Sequence, residues 1–316
     1  MQTLNILKET LGERLINLLI QSQVDEIMVN PDGVMFIRYA SGTTAVEPGF
    51  SEMKTQIIAR TIATLNHRDI DPLNPVIDGE IEFIKARFSA VLPPLSRGAC
   101  FCIRSLHALN LSFEELIACG FLTGKMATVL EDLLKQRLNI LICGQTGSGK
   151  TSFINSMLCR LSDLEPESRI ISIEDTPELK LTSKNHVSLY TSEKTSMSDL
   201  VRATLRLSPD RIIIGEVRSV EALDMIDAMA TGHSGCLASL HAGTLQQCME
   251  RLKLLVLRNA NAPRNLDNII ASSVQAIVIL SRIPKRHISQ IALVKGYSSN
   301  NYQFEIIGEN KCMNCQ

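Results

Sequence analysis

The chain contains no tryptophan, and aromatic residues make up only 4% of its 316 positions. A surface that stacks nucleic-acid bases draws on aromatic rings, so that reading finds little support. Neither charge is in excess: 32 Lys and Arg against 33 Asp and Glu leave a net charge of -1. The broad basic footprint of a nucleic-acid binder is absent at the level of the whole chain, so nucleic acid is not indicated as a partner. No run of about 18 apolar residues occurs, so no segment reads as a membrane-spanning helix. Met1 to Ile20 is amphipathic and carries Lys8, Glu9, Glu13 and Arg14, unlike the apolar core of a secretory signal. A reducing, cytosolic setting is therefore expected. The nine cysteines, an odd number, suit that setting better than a disulfide framework. Cys143, Cys159 and Cys236 stand among apolar or small residues and read as small core hydrophobes. Cys312 and Cys315 form a lone pair at the tail with no second pair at zinc spacing, so no zinc is expected.

What the chain does have is a phosphate-binding pattern. Gly144-Gln145-Thr146-Gly147-Ser148-Gly149-Lys150-Thr151 reads G-x-x-x-x-G-K-T. The apolar run Leu138–Cys143 precedes it and a helix-compatible segment from Ser152 to Leu161 follows. Strand, glycine loop and helix are the context a P-loop requires. Glycine lets backbone N–H groups turn inward around phosphate oxygens, and the helix N-terminus adds partial positive charge. Lys150 is placed to reach the β- and γ-phosphates of ATP, and the Thr151 hydroxyl to sit on Mg²⁺.

Length suggests two domains, or one large one, and 45% hydrophobic content supports a real core. Residues 1–108 read as a small α+β domain. Helical spacing runs from Asn5 to Leu19 and from Met53 to Leu65, and a hairpin turns at Pro31-Asp32-Gly33. Strands are expected at Glu80–Ile84, Ala86–Val91 and Cys100–Arg104, with a linker over Leu106–Leu111. Residues 109–316 alternate strands and helices. Strands are expected at Arg169–Ile173, His186–Tyr190, Arg211–Ile214, Cys236–Leu240, Ala276–Leu280 and Ile288–Val294. Such alternation argues for an α/β fold with a mainly parallel sheet.

Two of these strands end in acids. Arg211–Ile214 runs into Gly215-Glu216, where a carboxylate can hold the Mg²⁺ water shell or polarise an attacking water. Ile171–Ile173 runs into Glu174-Asp175, and Glu174 is a candidate for orienting water. His233 and His241 stand at either end of one short strand, among small residues. Hydrogen bonding to phosphate or to an acid suits them better than zinc. Arg87 and Arg104 of the first domain, and Arg206, Arg211 and Arg218 of the second, are candidate cations for developing γ-phosphate charge.

Four blocks, Gly144–Thr151, Ile173–Leu179, Leu205–Arg218 and Thr231–Ala242, together resemble the Walker A, Asp box, Walker B and His box of the secretion ATPase superfamily. Asp25–Gly33, Arg87-Phe88, Leu92-Pro93-Pro94, Ile103-Arg104 and Gln275–Val278 look like its type IV secretion traffic ATPases, in the conjugative-transfer (Trb-type) branch. The resemblance spans roughly residues 5 to 305. Ser152 stands where a second Thr is usual, and the four-cysteine element of the type II branch is missing. The resemblance implies a RecA-like C-terminal domain, a homo-hexameric ring and attachment to transfer machinery at the cytoplasmic face of the inner membrane. It also implies ATP between the two domains, with Arg87 and Arg104 closing on the γ-phosphate. Glu174 and Glu216 would be the water-orienting and metal-linked acids, and His233 and His241 the His-box residues. A pilus extension or retraction motor and a DNA-translocating RecA-like motor are the alternative functions.

Overall fold

The computed structural model describes residues 2–20, 24–39, 43–105, 111–192 and 194–310. The chain divides into two compact units, Met1–His107 and Ala108–Gln316. Most of the expected linker, and the whole Cys312/Cys315 pair, lie outside the described residues.

The first unit runs α1 (Gln2–Leu11), α2 (Glu13–Ile20), β1 (Val24–Val29), β2 (Met35–Tyr39), β3 (Thr44–Glu47), α3 (Glu52–Leu65), β4 (Val76–Ile81), β5 (Ala86–Val91) and β6 (Cys100–Ser105). Its six strands form one antiparallel sheet in the order β3-β2-β1-β6-β5-β4. Side chains alternate across it with period two. Ile27, Ile37, Phe88 and Ile103 are buried with Leu7, Leu11, Leu19, Ile58 and Ile62 of the helices. The opposite face carries a row in register: Arg38 beside Glu26, Glu26 beside Arg104, Arg104 beside Arg87, and Arg87 beside Glu80.

Two expectations change here. The single N-terminal helix is two, because Gly12 adopts a left-handed φ of 89° that closes the first and starts the second. The strand expected at Glu80–Ile84 is Val76–Ile81 instead, and Glu82–Ile84 is a 3-10 turn ending at Lys85 with φ 46°.

The second unit runs α4 (Phe113–Ala118), α5 (Gly124–Lys135), β7 (Ile140–Gly144), α6 (Lys150–Leu164), β8 (Ile170–Glu174), β9 (His186–Tyr190), α7 (Met197–Thr204), β10 (Arg211–Ile214), α8 (Glu221–Ala230), β11 (Leu237–Leu240), α9 (Leu245–Val256), α10 (Leu266–Ser273), β12 (Ala276–Ser281), β13 (His287–Ser298) and β14 (Asn301–Glu309). The sheet order is β14-β13-β12-β7-β11-β10-β8-β9. From β12 to β9 every pair is parallel, and the β12–β13 and β13–β14 pairs are antiparallel. Alternate residues of β7 face different layers. Ile140 and Ile142 join the core with α5 and α6, whereas Leu141 and Cys143 join the core with α8, α9 and α10. A strand covered on both faces needs a continuous apolar run, and Ile140–Cys143 supplies one. The final hairpin exceeds the strand expected at Ile288–Val294, turning at Ser299 and Asn300 with φ of 52° and 58°. Both central residues at positive φ is the signature of a type I′ turn.

The edge where the parallel strands begin is tied by Arg211, whose side chain is fully buried. Its Nη2 donates to Glu165 Oε1 and to the Leu134 carbonyl, both at 2.7 Å, and Arg137 donates to the same carboxylate at 3.0 Å. Arg211→Ala should destabilise the protein by about 3 kcal/mol or more, because carbonyls and a carboxylate lose a buried donor. Lys295→Ala, breaking an exposed pair with Glu305, should cost under about 1 kcal/mol. Urea unfolding of both variants checks this, and equal costs would contradict it.

Candidate functional site

Parallel pairing places the carboxyl ends of β8, β10, β11 and β7 along one edge of the sheet. Ile173 pairs with Ile214, and Leu240 with Cys143. The residues that follow, Glu174, Gly215-Glu216, His241 and the Gly144–Thr151 loop, therefore gather at that edge. In open α/β sheets this is the ligand-binding side.

In the loop, Gly147 and Gly149 have φ of 77° and 94°, a region that residues with a Cβ rarely adopt. Gly149 caps α6 and has no side chain of its own to bond the first amides of the helix. The Ser148 hydroxyl is buried with no hydrogen-bond partner. Lys150 is nearly buried, and its ammonium donates to the carbonyls of Gly144 at 3.0 Å and Gln145 at 3.4 Å. Inward-turning glycines, an uncapped helix start and a buried lysine fit a polyphosphate.

Lys150 also donates to Nδ1 of His241 at 3.2 Å. An ammonium can only donate, so Nδ1 accepts and Nε2 carries the ring proton. Nε2 lies 2.5 Å from Glu216 Oε1. Arg218 Nη2 donates to Glu216 Oε2 at 2.6 Å, and its Nη1 to Asp175 at 3.1 Å. A continuous polar chain thus joins the phosphate loop to two strand ends. Burial alone would raise the Glu216 carboxyl, but His241 and Arg218 outweigh it and hold the group at about 2.

Glu174 sits in a different environment. Its Oε1 accepts from the amides of Glu178 at 3.0 Å and Leu179 at 2.9 Å, while Oε2 is buried without a partner. Burial pushes this carboxyl up to about 7, against the pull of those amides. A Cβ on Gly215 would stand 3.0 Å from Glu174 Cγ, so the glycine lets two strand ends carry acids side by side.

His233 does not join this group. It lies between α8 and β11, where the strand begins, and the strand alone spans roughly 10 Å. Two histidines at opposite ends of a strand emerge at opposite edges of a parallel sheet. Arg206 precedes β10 and Arg211 opens it, so both belong to the far edge, whereas Arg218 follows the strand. Arg87 and Arg104 stand side by side in register in the first unit. The link from Arg218 to Asp175 was not read from sequence, nor was Arg286, whose Nε donates to the Gly147 carbonyl at 3.0 Å. Both depend on pairings between distant segments, and no local pattern marks them.

A glycine loop between a parallel strand and a helix, faced by strand-end acids, defines a P-loop nucleotide-binding ATPase. The family of Type II/IV secretion system proteins matches residues 7–316, and the chain belongs to it. It is 33% identical over 301 residues to the conjugal transfer protein TrbB of Rhizobium radiobacter, covering 95% of this chain and 92% of that one. Among solved structures, the VirB11 ATPase of the Brucella suis type IV secretion system, in complex with sulphate, is 26% identical with a TM-score of 0.51. That match covers 92% of this chain and 94% of the other. The pilus retraction motor PilT, with bound ADP, shares the fold at 20% identity and a TM-score of 0.59, over 95% of this chain and 83% of that one. The resemblance to the Trb-type branch, read from motifs, meets its counterpart in these relatives.

The two acids give opposite pH signatures. Between 4.5 and about 7 the folded protein keeps a proton on Glu174 that the unfolded chain has released. Its contribution therefore makes the fold less stable as pH rises through that window. The stabilisation from Glu216 is complete above 4.5 and is lost as pH falls towards about 2. Glu174→Gln should flatten the decline in urea midpoint between about pH 5 and pH 7. An unchanged slope would show that burial does not hold the proton.

Proposed function

We propose that this chain is an ATP-hydrolysing ring motor that energises a conjugative-transfer or type IV secretion apparatus, in assembly or in substrate passage. The observation that carries the reading is the chain Lys150–His241–Glu216, which wires the phosphate loop to the end of β10. Gly144 to Thr151 would cradle the phosphates through backbone amides. Lys150 would exchange its loop carbonyls for phosphate oxygens. The half-buried Thr151 hydroxyl and the ionised Glu216 fit Mg²⁺, Thr151 directly and Glu216 through water. When bound, Mg²⁺ neutralises charge on the β- and γ-phosphates. Glu174 would orient the attacking water; a carboxyl near 7 suits a group that accepts a proton at neutral pH. His241 would hold Glu216 and Lys150 in register, and His233, at the other edge, would act elsewhere than at the phosphates.

Arg87 and Arg104, neighbours on β5 and β6, would close on the γ-phosphate. Two adjacent cations on one sheet face form a suitable anion contact. We assign the ring as a homo-hexamer held at the cytoplasmic side of the inner membrane by machinery proteins. Among the described residues no helix is long and apolar enough to cross a membrane. A pilus extension or retraction motor is the second reading, favoured by the fold shared with PilT.

Lys150→Ala should abolish Mg²⁺-dependent phosphate release; turnover like the parent's would refute the site. Glu216→Gln should slow turnover about 100-fold while ATP still binds. Turnover per subunit should climb with protein concentration, measured from below ring dissociation. A constant value there would mean that single chains carry complete sites.

A further inference from the structure

The turn between β12 and β13 carries Arg286, which the motifs do not include. Its Nε donates to the Gly147 carbonyl at the apex of the phosphate loop, at 3.0 Å. The Arg286 Cδ would stand 3.9 Å, and Phe121 Cε2 3.7 Å, from a Cβ on Gly149. These two side chains thus flank the last glycine of the loop. The turn is anchored independently of the loop. Lys285 Nζ donates to the Cys119 carbonyl at 3.2 Å, and the Ile288 amide to the Phe121 carbonyl at 2.7 Å. The Phe121 ring packs 5.8 Å from that of Phe153 on α6.

A loop that turns amides inward turns carbonyls outward, and each such carbonyl needs a donor. Ser148 N donates to the Gln145 carbonyl at 3.2 Å, and Arg286 takes the carbonyl of the same Gly147–Ser148 peptide. Both ends of that peptide plane are therefore held. A guanidinium is always charged, so it also adds positive potential beside an anion cradle.

We infer that Arg286 is a positioning residue for nucleotide: it fixes the Gly147–Ser148 peptide so that the loop is set for phosphate before nucleotide arrives. The inference rests on the ATPase reading of this loop. Preorganisation of a binding loop acts on affinity and leaves the chemical step largely alone, so KM should move and kcat should not.

The test is titration of the full chain with a fluorescent ADP analogue in Mg²⁺, beside steady-state phosphate release. Arg286→Gln should weaken the analogue about tenfold, with kcat within about threefold of the parent. Arg286→Lys, which keeps a donor and the charge, should fall between, about threefold weaker. Arg282→Gln removes the same charge from an exposed neighbour in the turn and should bind like the parent. Parent-like affinity in Arg286→Gln, an equal loss in Arg282→Gln, or a fall in kcat at constant KM would each overturn the proposal. If Arg286→Gln does not fold, Arg286→Lys decides: weaker binding supports the proposal, and parent-like binding overturns it. A parent that binds the analogue no better than Lys150→Ala would overturn the ATPase reading itself, a result separate from any of these.

Discussion

Strands β9, β8, β10, β11, β7 and β12 all run in one direction, and the site depends on that shared direction. Each connecting helix returns the chain to the starting edge, so every strand delivers its next residue to the same side. Lys150, His241, Glu216 and Glu174 are far apart in sequence yet meet along one edge. The apolar runs that allow this are continuous rather than alternating, because helices cover both faces. Packing that looks purely structural, such as Ile142 on one side of β7 and Cys143 on the other, therefore aims the phosphate loop.

The edge also separates two carboxylates of the same residue type. Glu216 faces a histidine and an arginine and is held at about 2. Glu174, at the end of the neighbouring strand, accepts only from backbone amides, has a buried unpartnered oxygen and is pushed to about 7. Environments that push two acids apart divide labour between them: one stays charged to face cations, the other can exchange a proton near neutrality.

Much of this was legible in the sequence because its signals are local. The glycine spacing fixes the loop, and apolar runs ending in Gly-Glu or Glu-Asp fix the strand ends. The α/β class and mainly parallel sheet followed from alternation. What escaped is long-range or depends on a single backbone angle. Gly12 splits a helix whose apolar stripe runs through it unbroken. The return strand β14 needs the Ser299-Asn300 turn, a weaker signal than Asn-Gly. The Arg218 bond to Asp175 crosses between neighbouring strand ends and Arg286 reaches the phosphate loop from a distant turn, and sequence spacing does not encode those. His233 and His241 stand at either end of one short strand, and a parallel strand carries its two ends to different edges.

Buried Arg211 gives the far edge a different kind of vulnerability. Damage there leaves unpaired polar groups in the interior and raises the unfolded fraction, which cellular proteases clear. In a cell, a fault at that edge would register as scarce protein with intact chemistry per molecule. A fault at the phosphate edge would register as normal amounts of protein that does no work. Measuring abundance alongside activity would then tell which edge of the sheet an uncharacterised variant has struck.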